Sequence, residues 1–159
     1  MLNEAALIEK EVTARLLRID PSVLETRRAM ARWLTLALGI INPGETRQSA
    51  VAVLDGLLYY QFVKQADPNA EDLMRYVSAN WEQMNEKTLR YHLLRLKKMG
   101  LVENTQGRFY FRKPRSGDRF NPENVFGDMF ESNYKEMTAR LAEVIKEFVN
   151  KSKIAGEKP

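Results

Sequence analysis

The stretch from Met84 to Arg112 constrains this chain more than any other. It reads Met-Asn-Glu-Lys-Thr-Leu-Arg-Tyr-His-Leu-Leu-Arg-Leu-Lys-Lys-Met-Gly-Leu-Val, followed by Glu-Asn-Thr-Gln-Gly-Arg-Phe-Tyr-Phe-Arg. Asn85 has the side chain of a helix N-cap, Leu89, Leu93 and Leu96 recur at spacings of four and three, and Gly100 stands where a left-handed residue ends a helix. The first half is therefore expected to be one amphipathic helix. Opposite its leucine stripe lie Lys87, Arg90, Tyr91, Leu94 or Arg95, and Lys98, a mainly basic and aromatic surface that suits a major groove. The second half alternates as a strand does, which predicts Phe109 and Phe111 against the core and Arg108, Tyr110 and Arg112 outward.

Charge is concentrated in the same place. Residues 84–119 hold ten Lys or Arg against three Asp or Glu, a net of +7, while the whole chain carries +4 and the remainder is thus slightly acidic. A local basic surface of this kind is the electrostatic footprint of a nucleic-acid partner. The chain lacks cysteine, which excludes disulfides, thiolate nucleophiles and cysteine-held zinc or iron–sulfur groups. The first residues lack the basic start and apolar core of a signal peptide, and the longest apolar run, 33–41, is interrupted by Thr35 and about half as long as a bilayer requires. The expected location is the cytoplasm, with no membrane partner.

Taken in order, residues 2–18 are expected to form a first helix with Leu2, Ala5, Ala6, Ile8, Val12, Leu16 and Ile19 roughly on one side. Asp20-Pro21 offers a cap and a first-turn proline for a second helix running to Ile41, whose Arg27, Arg28 and Arg32 read as a solvated face. Asn42-Pro43-Gly44 is a turn, and a third helix over about 45–65, buried on more than one side, follows. Asp67-Pro68 repeats the cap-plus-proline start and leads into a short helix over 69–80. After the ribbon, Asn121-Pro122 opens a long helix to about residue 153, in which Phe126, Phe130, Met137, Leu141, Ile145 and Phe148 form a stripe that needs a partner surface.

The order helix, short helix, tight connection, helix, two-stranded ribbon is that of a winged helix-turn-helix. Residues 85–102 resemble the recognition helix of winged helix-turn-helix transcriptional regulators of the ArsR, MarR and PadR type. Thr88, Leu89, His92, Leu93, Leu96, Gly100, Leu101 and Val102 match the pattern Thr-apolar-x-x-His-Leu-x-x-Leu-x-x-x-Gly-Leu-Val. The likeness extends over about 49–112 and implies double-stranded DNA binding by a homodimer, with dimerisation through helices outside the winged module. The sequence departs from the pattern in two respects. The Cys and His sets of metal-sensing members are missing, since His92 is the sole histidine, and Leu94 occupies a position where a polar residue is common. Leu94 is expected to pack on a neighbouring helix, and His92 to pack against the preceding helix with one ring nitrogen satisfied.

The resulting expectation is a mainly α protein with a small β-wing: an N-terminal helical extension over 1–44, a winged helix-turn-helix over 45–119, a dimerisation helix over 120–153 and a frayed tail over 154–159. DNA contact is assigned to Lys87, Thr88, Arg90, Tyr91, Lys98, Arg108 and Arg112, with Thr88 on the phosphate backbone and Arg108 reaching phosphate or the minor groove from the ribbon tip. The dimer interface is assigned to Phe126, Phe130, Met137, Leu141, Ile145 and Phe148. The eight glycines are dispersed, leaving no phosphate-binding loop, and no acidic cluster has Mg²⁺ spacing. No catalytic residue, cofactor or metal is expected. The function expected is sequence-specific transcriptional regulation, its effector unassigned, and the alternative is a winged-helix module that binds protein within a larger assembly.

Overall fold

The computed structural model describes residues 2–154, and these are mainly helical with one small antiparallel sheet. Helix α1 spans Arg27–Ala37, with the Thr26 hydroxyl accepting from Ala29 N at 3.1 Å as its N-cap. It stops at Gly39, whose φ of +70° lets Gly39 N donate to Leu36 O at 3.1 Å and Ile40 N to Thr35 O at 3.0 Å. The helix expected from Asp20 to Ile41 is therefore two pieces. Asp20 does cap, but only a 3₁₀ turn over Pro21–Leu24, and Thr26 caps afresh. Ile40 and Ile41, past the stop, enter the core.

The helix expected over 2–18 does not form. A single 3₁₀ turn, Glu4–Leu7, is followed by an extended strap through residue 20. The strap is held by tertiary bonds that a helix would forfeit. Arg15 N donates to Ala37 O at 2.8 Å, and the Arg15 guanidinium donates to Leu36 O at 3.1 Å, Ile41 O at 2.8 Å and Asn42 Oδ1 at 2.7 Å. The amide fills the Ala37 carbonyl at the C-terminal end of α1, and the cation beside it complements the helix dipole. Thr13 crosses so near Gly39 that a Cβ on the glycine would lie 2.6 Å from Thr13 Cβ. Leu2, Leu7, Ile8, Leu16 and Ile19 stay exposed, so the apolar spacing seen in the sequence is not a core face.

Helix α2, Ser49–Leu58, is buried at every residue from Ala50 to Leu57 and widens into a π-helical turn over Tyr59–Lys64 that ends at Gln65. Its central position matches the expectation for 45–65. Helix α3 is Ala70–Asn80, capped reciprocally by Asn69 and Asp72, with Asp72 N on Asn69 Oδ1 at 2.8 Å and Asn69 N on Asp72 Oδ2 at 3.0 Å. The cap is two residues later than Asp67-Pro68 suggested. Asp67 is instead the partner of Arg119, and the Pro68 carbonyl accepts from Phe109 N at 2.8 Å.

Helix α4, Glu86–Lys98, starts and stops as the sequence predicts. Asn85 Oδ1 accepts from Thr88 N at 2.8 Å, and Gly100, at φ +78°, allows Gly100 N to reach Lys97 O and Leu101 N to reach Leu96 O. Leu89, Leu93 and Leu96 are buried, each contributing about 1.5–3 kcal/mol of apolar transfer. Strands β1, Val102–Thr105, and β2, Arg108–Phe111, pair with Val102 opposite Phe111 and Thr105 opposite Arg108. Gln106 and Gly107, both at positive φ, form the two-residue turn that suits the twist of a hairpin.

Helix α5, Pro122–Ile154, begins under an Asn121 cap as expected. Its first turns belong to the core, with Val125 and Met129 fully buried, whereas from Tyr134 onward its side chains are mostly exposed. One core joins α1, α2, α3, α4, the ribbon and the start of α5. Residues 31–41 share it, so this part of the expected extension is integral to the molecule. No helix is long and apolar enough to cross a membrane among the described residues. The expected tail lies, beyond residue 154, outside them.

Candidate nucleic-acid interface

Helices α3 and α4 are consecutive, joined by residues 81–85, and both pack on α2. With its leucines turned inward, α4 presents Lys87, Tyr91, Leu94 and Lys98 along one outward line, since positions three or four apart share a face. All four are exposed, and Arg90 lies beside them. Leu94 is 51% exposed, so the packing expected for it does not occur. Lys87 and Lys98 make no ion pair among the described residues. Arg90 is tethered to Glu86 one turn earlier, at 2.9 Å. Both partners are well exposed, and a pair of this kind is worth only about 0.3–0.5 kcal/mol, a small barrier to exchange for another anion. Thr88, half-buried in the first turn, has its amide taken by the Asn85 cap.

The inner side of α4 positions this face. His92 Nε2 lies 2.9 Å from Ser49 Oγ, so one ring nitrogen is satisfied as expected, but by the start of α2 and not by the preceding helix α3. Burial, with the nearby Arg95 charge, holds the imidazole below its ordinary pKa and favours the neutral ring. The Tyr91 ring meets the His92 ring edge-on at 5.2 Å.

The ribbon arginines point elsewhere. Arg108 folds back from the hairpin, donating to Asp67 O at 3.1 Å and lying 3.6 Å from Asp72 Oδ2. Arg112 turns toward α5, with Ser132 Oγ at 3.4 Å, and lines a cleft of about 500 Å³ together with Lys10, Lys97 and Tyr110. Neither extends the line on α4, so of the seven residues assigned to DNA the structure brings Lys87, Arg90, Tyr91 and Lys98 together, with Thr88 at their edge. Tyr110 is likewise not outward. It is buried, with its hydroxyl on the Thr105 hydroxyl and its ring under the Lys113 ammonium at 4.9 Å and the Arg119 guanidinium at 5.6 Å. The twisted hairpin leaves this face to be closed by the loop that follows it.

That loop is clamped. Arg119 pairs with Asp67, and Arg115 Nε lies 2.7 Å from Asp128 Oδ1, a hydrogen bond that holds the Asp128 carboxyl below its usual range. Buried Gln61, in the π-helical turn, accepts from Phe111 N at 3.0 Å and donates to Arg119 O at 2.8 Å, joining ribbon and loop. Sequence reading passed over Gln61, a lone amide in an apolar helix. On α1, Arg27 and Arg28 are structural rather than merely solvated. Arg27 Nε lies 3.3 Å from buried Asp55, which also accepts from Tyr76 Oη at 2.9 Å and Trp81 Nε1 at 2.8 Å, and Arg28 lies 4.3 Å over the Trp81 ring.

The residues assigned to dimerisation divide in two. Phe126 is half-buried against Phe111 at 5.4 Å and Phe62 at 6.2 Å, and Phe130 stacks on Phe126 at 6.5 Å, so both serve the chain's own core. Met137, Leu141, Ile145 and Phe148 are exposed. Tyr134 and Val144, absent from that assignment, are exposed with them, and their three-and-four spacing to Met137, Leu141 and Phe148 was the signal available. Comparison with known protein families, with characterised proteins and with solved structures finds no match to this chain.

Proposed function

We propose that the chain is a winged helix-turn-helix protein that binds double-stranded DNA sequence-specifically, acting in the cytoplasm as a homodimeric transcriptional regulator. The observation that carries this reading is the outward line of α4, where Lys87, Tyr91 and Lys98, with Arg90 alongside, lie exposed on a helix braced from behind by α2 and α3. In this reading α4 enters the major groove, Lys87, Arg90 and Tyr91 meet base edges or phosphates, and the ribbon is the wing. No catalytic group is assigned. The exposed half of α5 supplies the dimer contact.

The test is a titration of the protein with duplex DNA at several salt concentrations. Each phosphate neutralised adds about −0.9 to the slope of log K against log salt, so three lysine or arginine contacts on one chain give about −2.7. Failure to bind any member of a random duplex pool overturns the proposal. One observation favours a second reading: Tyr91 and Leu94, 63% and 51% exposed, give the same face an apolar centre that suits a protein partner. Capture of a protein whose affinity is insensitive to salt, by the same α4 residues and without duplex binding, would select it.

A further inference from the structure

On α5, Tyr134, Met137, Leu141, Val144 and Phe148 follow one another at intervals of three, four, three and four, and are 54 to 70% exposed. That alternation is a coiled-coil seam, which is stable only against another helix. Leu7 of the 3₁₀ turn and Ile8 and Val12 of the strap line, together with Tyr134, Met137, Leu141 and Val144, an open apolar cleft of about 880 Å³. The seam thus has one side built and its front uncovered.

The flanking residues choose the occupant and its direction. Arg140 and Glu147 occupy the flank just before seam positions 141 and 148, while Thr138 and Ile145 occupy the flank just after positions 137 and 144. Two parallel copies would set Arg140 beside the partner's Ile145 and Glu147 beside the partner's Ser152, which forms no ion pair. Two antiparallel copies set like flanks together. Arg140 then faces the partner's Glu147, Glu147 faces the partner's Arg140, and Ile145 meets the methyl of the partner's Thr138. The seam itself is self-complementary in this direction, with flexible Met137 opposite the partner's Phe148 and Leu141 opposite the smaller Val144 of the partner subunit. Arg140 is already oriented by Glu9, 3.0 Å from Nη1, and Glu136, 2.7 Å from Nη2, which leaves Nε unengaged among the described residues.

We infer that the occupant is a second copy of this chain, packed antiparallel on α5 in the register that pairs 141 with 144 and 140 with 147 of the partner. The inference rests on the homodimer in the proposed function and is independent of DNA binding. It is tested on the full chain, which has no cysteine of its own. Met137→Cys and Phe148→Cys proteins, oxidised separately, are expected to stay uncross-linked, and oxidised as a mixture to give the mixed disulfide dimer. Self-cross-linking of Met137→Cys would show a parallel pair and overturn the register.

Charge reversal gives a second readout that leaves the apolar seam intact. Sedimentation should find the unaltered chain dimeric at micromolar concentration, Arg140→Glu and Glu147→Arg each dissociating at least tenfold more readily, and the equimolar mixture of the two recovering as a heterodimer. A monomeric unaltered chain, or a dimer indifferent to both reversals, overturns the inference. A dimer in this register that ignores duplex DNA leaves it standing and defeats the DNA reading. Duplex binding by a monomer does the opposite.

Discussion

Helix α4 and the segment Arg108–Arg119 carry five Lys or Arg each, and they spend that charge in different ways. In the segment, Arg108, Arg115 and Arg119 are paired with Asp72, Asp128 and Asp67, carboxylates that come from the start of α3, from α5 and from the turn before α3. On α4, among the described residues, only Arg90 is paired, and its partner is Glu86 of the same helix. Charge that is continuous in sequence therefore separates in space into a clamp and an open face. The three clamp residues are arginines, whose planar guanidinium forks suit fixed carboxylates, whereas Lys87 and Lys98 are point charges left facing solvent.

The comparison breaks if the two sets prove interchangeable. The largest expected effect belongs to Lys87→Ala with Lys98→Ala, which removes two free charges. Duplex affinity at 0.1 M salt should fall roughly hundredfold and the salt slope by about 1.8 per chain, since each phosphate contact contributes about 0.9. Unfolding free energy should move by no more than about 0.5 kcal/mol, as for other surface substitutions. Arg119→Ala should behave inversely. Arg119 and Asp67 are 23% and 28% exposed, and the substitution leaves the Asp67 carboxylate without its partner and removes the guanidinium from over the Tyr110 ring, so urea denaturation should show a loss of about 1–3 kcal/mol. Duplex affinity, corrected for the folded fraction, should change less than threefold.

Arg108→Ala is the intermediate case and the sharpest. With its side chain about half exposed and its carboxylate 3.6 Å away, stability should drop by less than about 1 kcal/mol, and duplex binding should be almost unchanged. A loss of affinity as large as that of Lys87→Ala would mean that Arg108 leaves Asp72 on binding and that the clamp is itself a contact. A smaller effect tests the brace behind the open face. Burial in the folded state holds the His92 pKa below its ordinary value of 6.5, so the unfolded chain takes up the proton first as pH falls. The stability due to neutral His92 is complete above pH 6.5 and declines below it. Urea midpoints measured across that range should fall toward acid in the unaltered chain and be flatter in His92→Gln.

Which parts of the molecule were legible in its sequence depended on where their bonding partners lay. The ends of α4 and the start of α5 are written by Asn85, Gly100 and Asn121, whose partners are within a few residues. The strap failed as a helix because Arg15 finds its carbonyls at Leu36 and Ile41, more than twenty residues on. Asp67 looked like a cap, and it became the partner of an arginine 52 positions away. The same limit applied to the candidate site. The α4 face is legible because helical spacing alone generates it, whereas the fates of Arg108 and Arg112 are decided by groups on α3 and α5. Gly39 marks its helix end plainly, but the apolar residues on both sides of it favoured continuity.

The length of α5 has a metric consequence for the proposed dimer. In an antiparallel pair the folded heads lie at opposite ends, and their spacing is set by the number of residues between the head and the two-fold axis. At a rise of about 1.5 Å per residue, inserting seven residues between the head and the axis in each copy would move each head about 10 Å outward and separate the two by roughly 20 Å more. The inserted turns would nearly preserve the seam's phase. The helix would then be a ruler as well as a glue: the distance between the two α4 faces would be recorded in its residue count, and could be rewritten without touching either face.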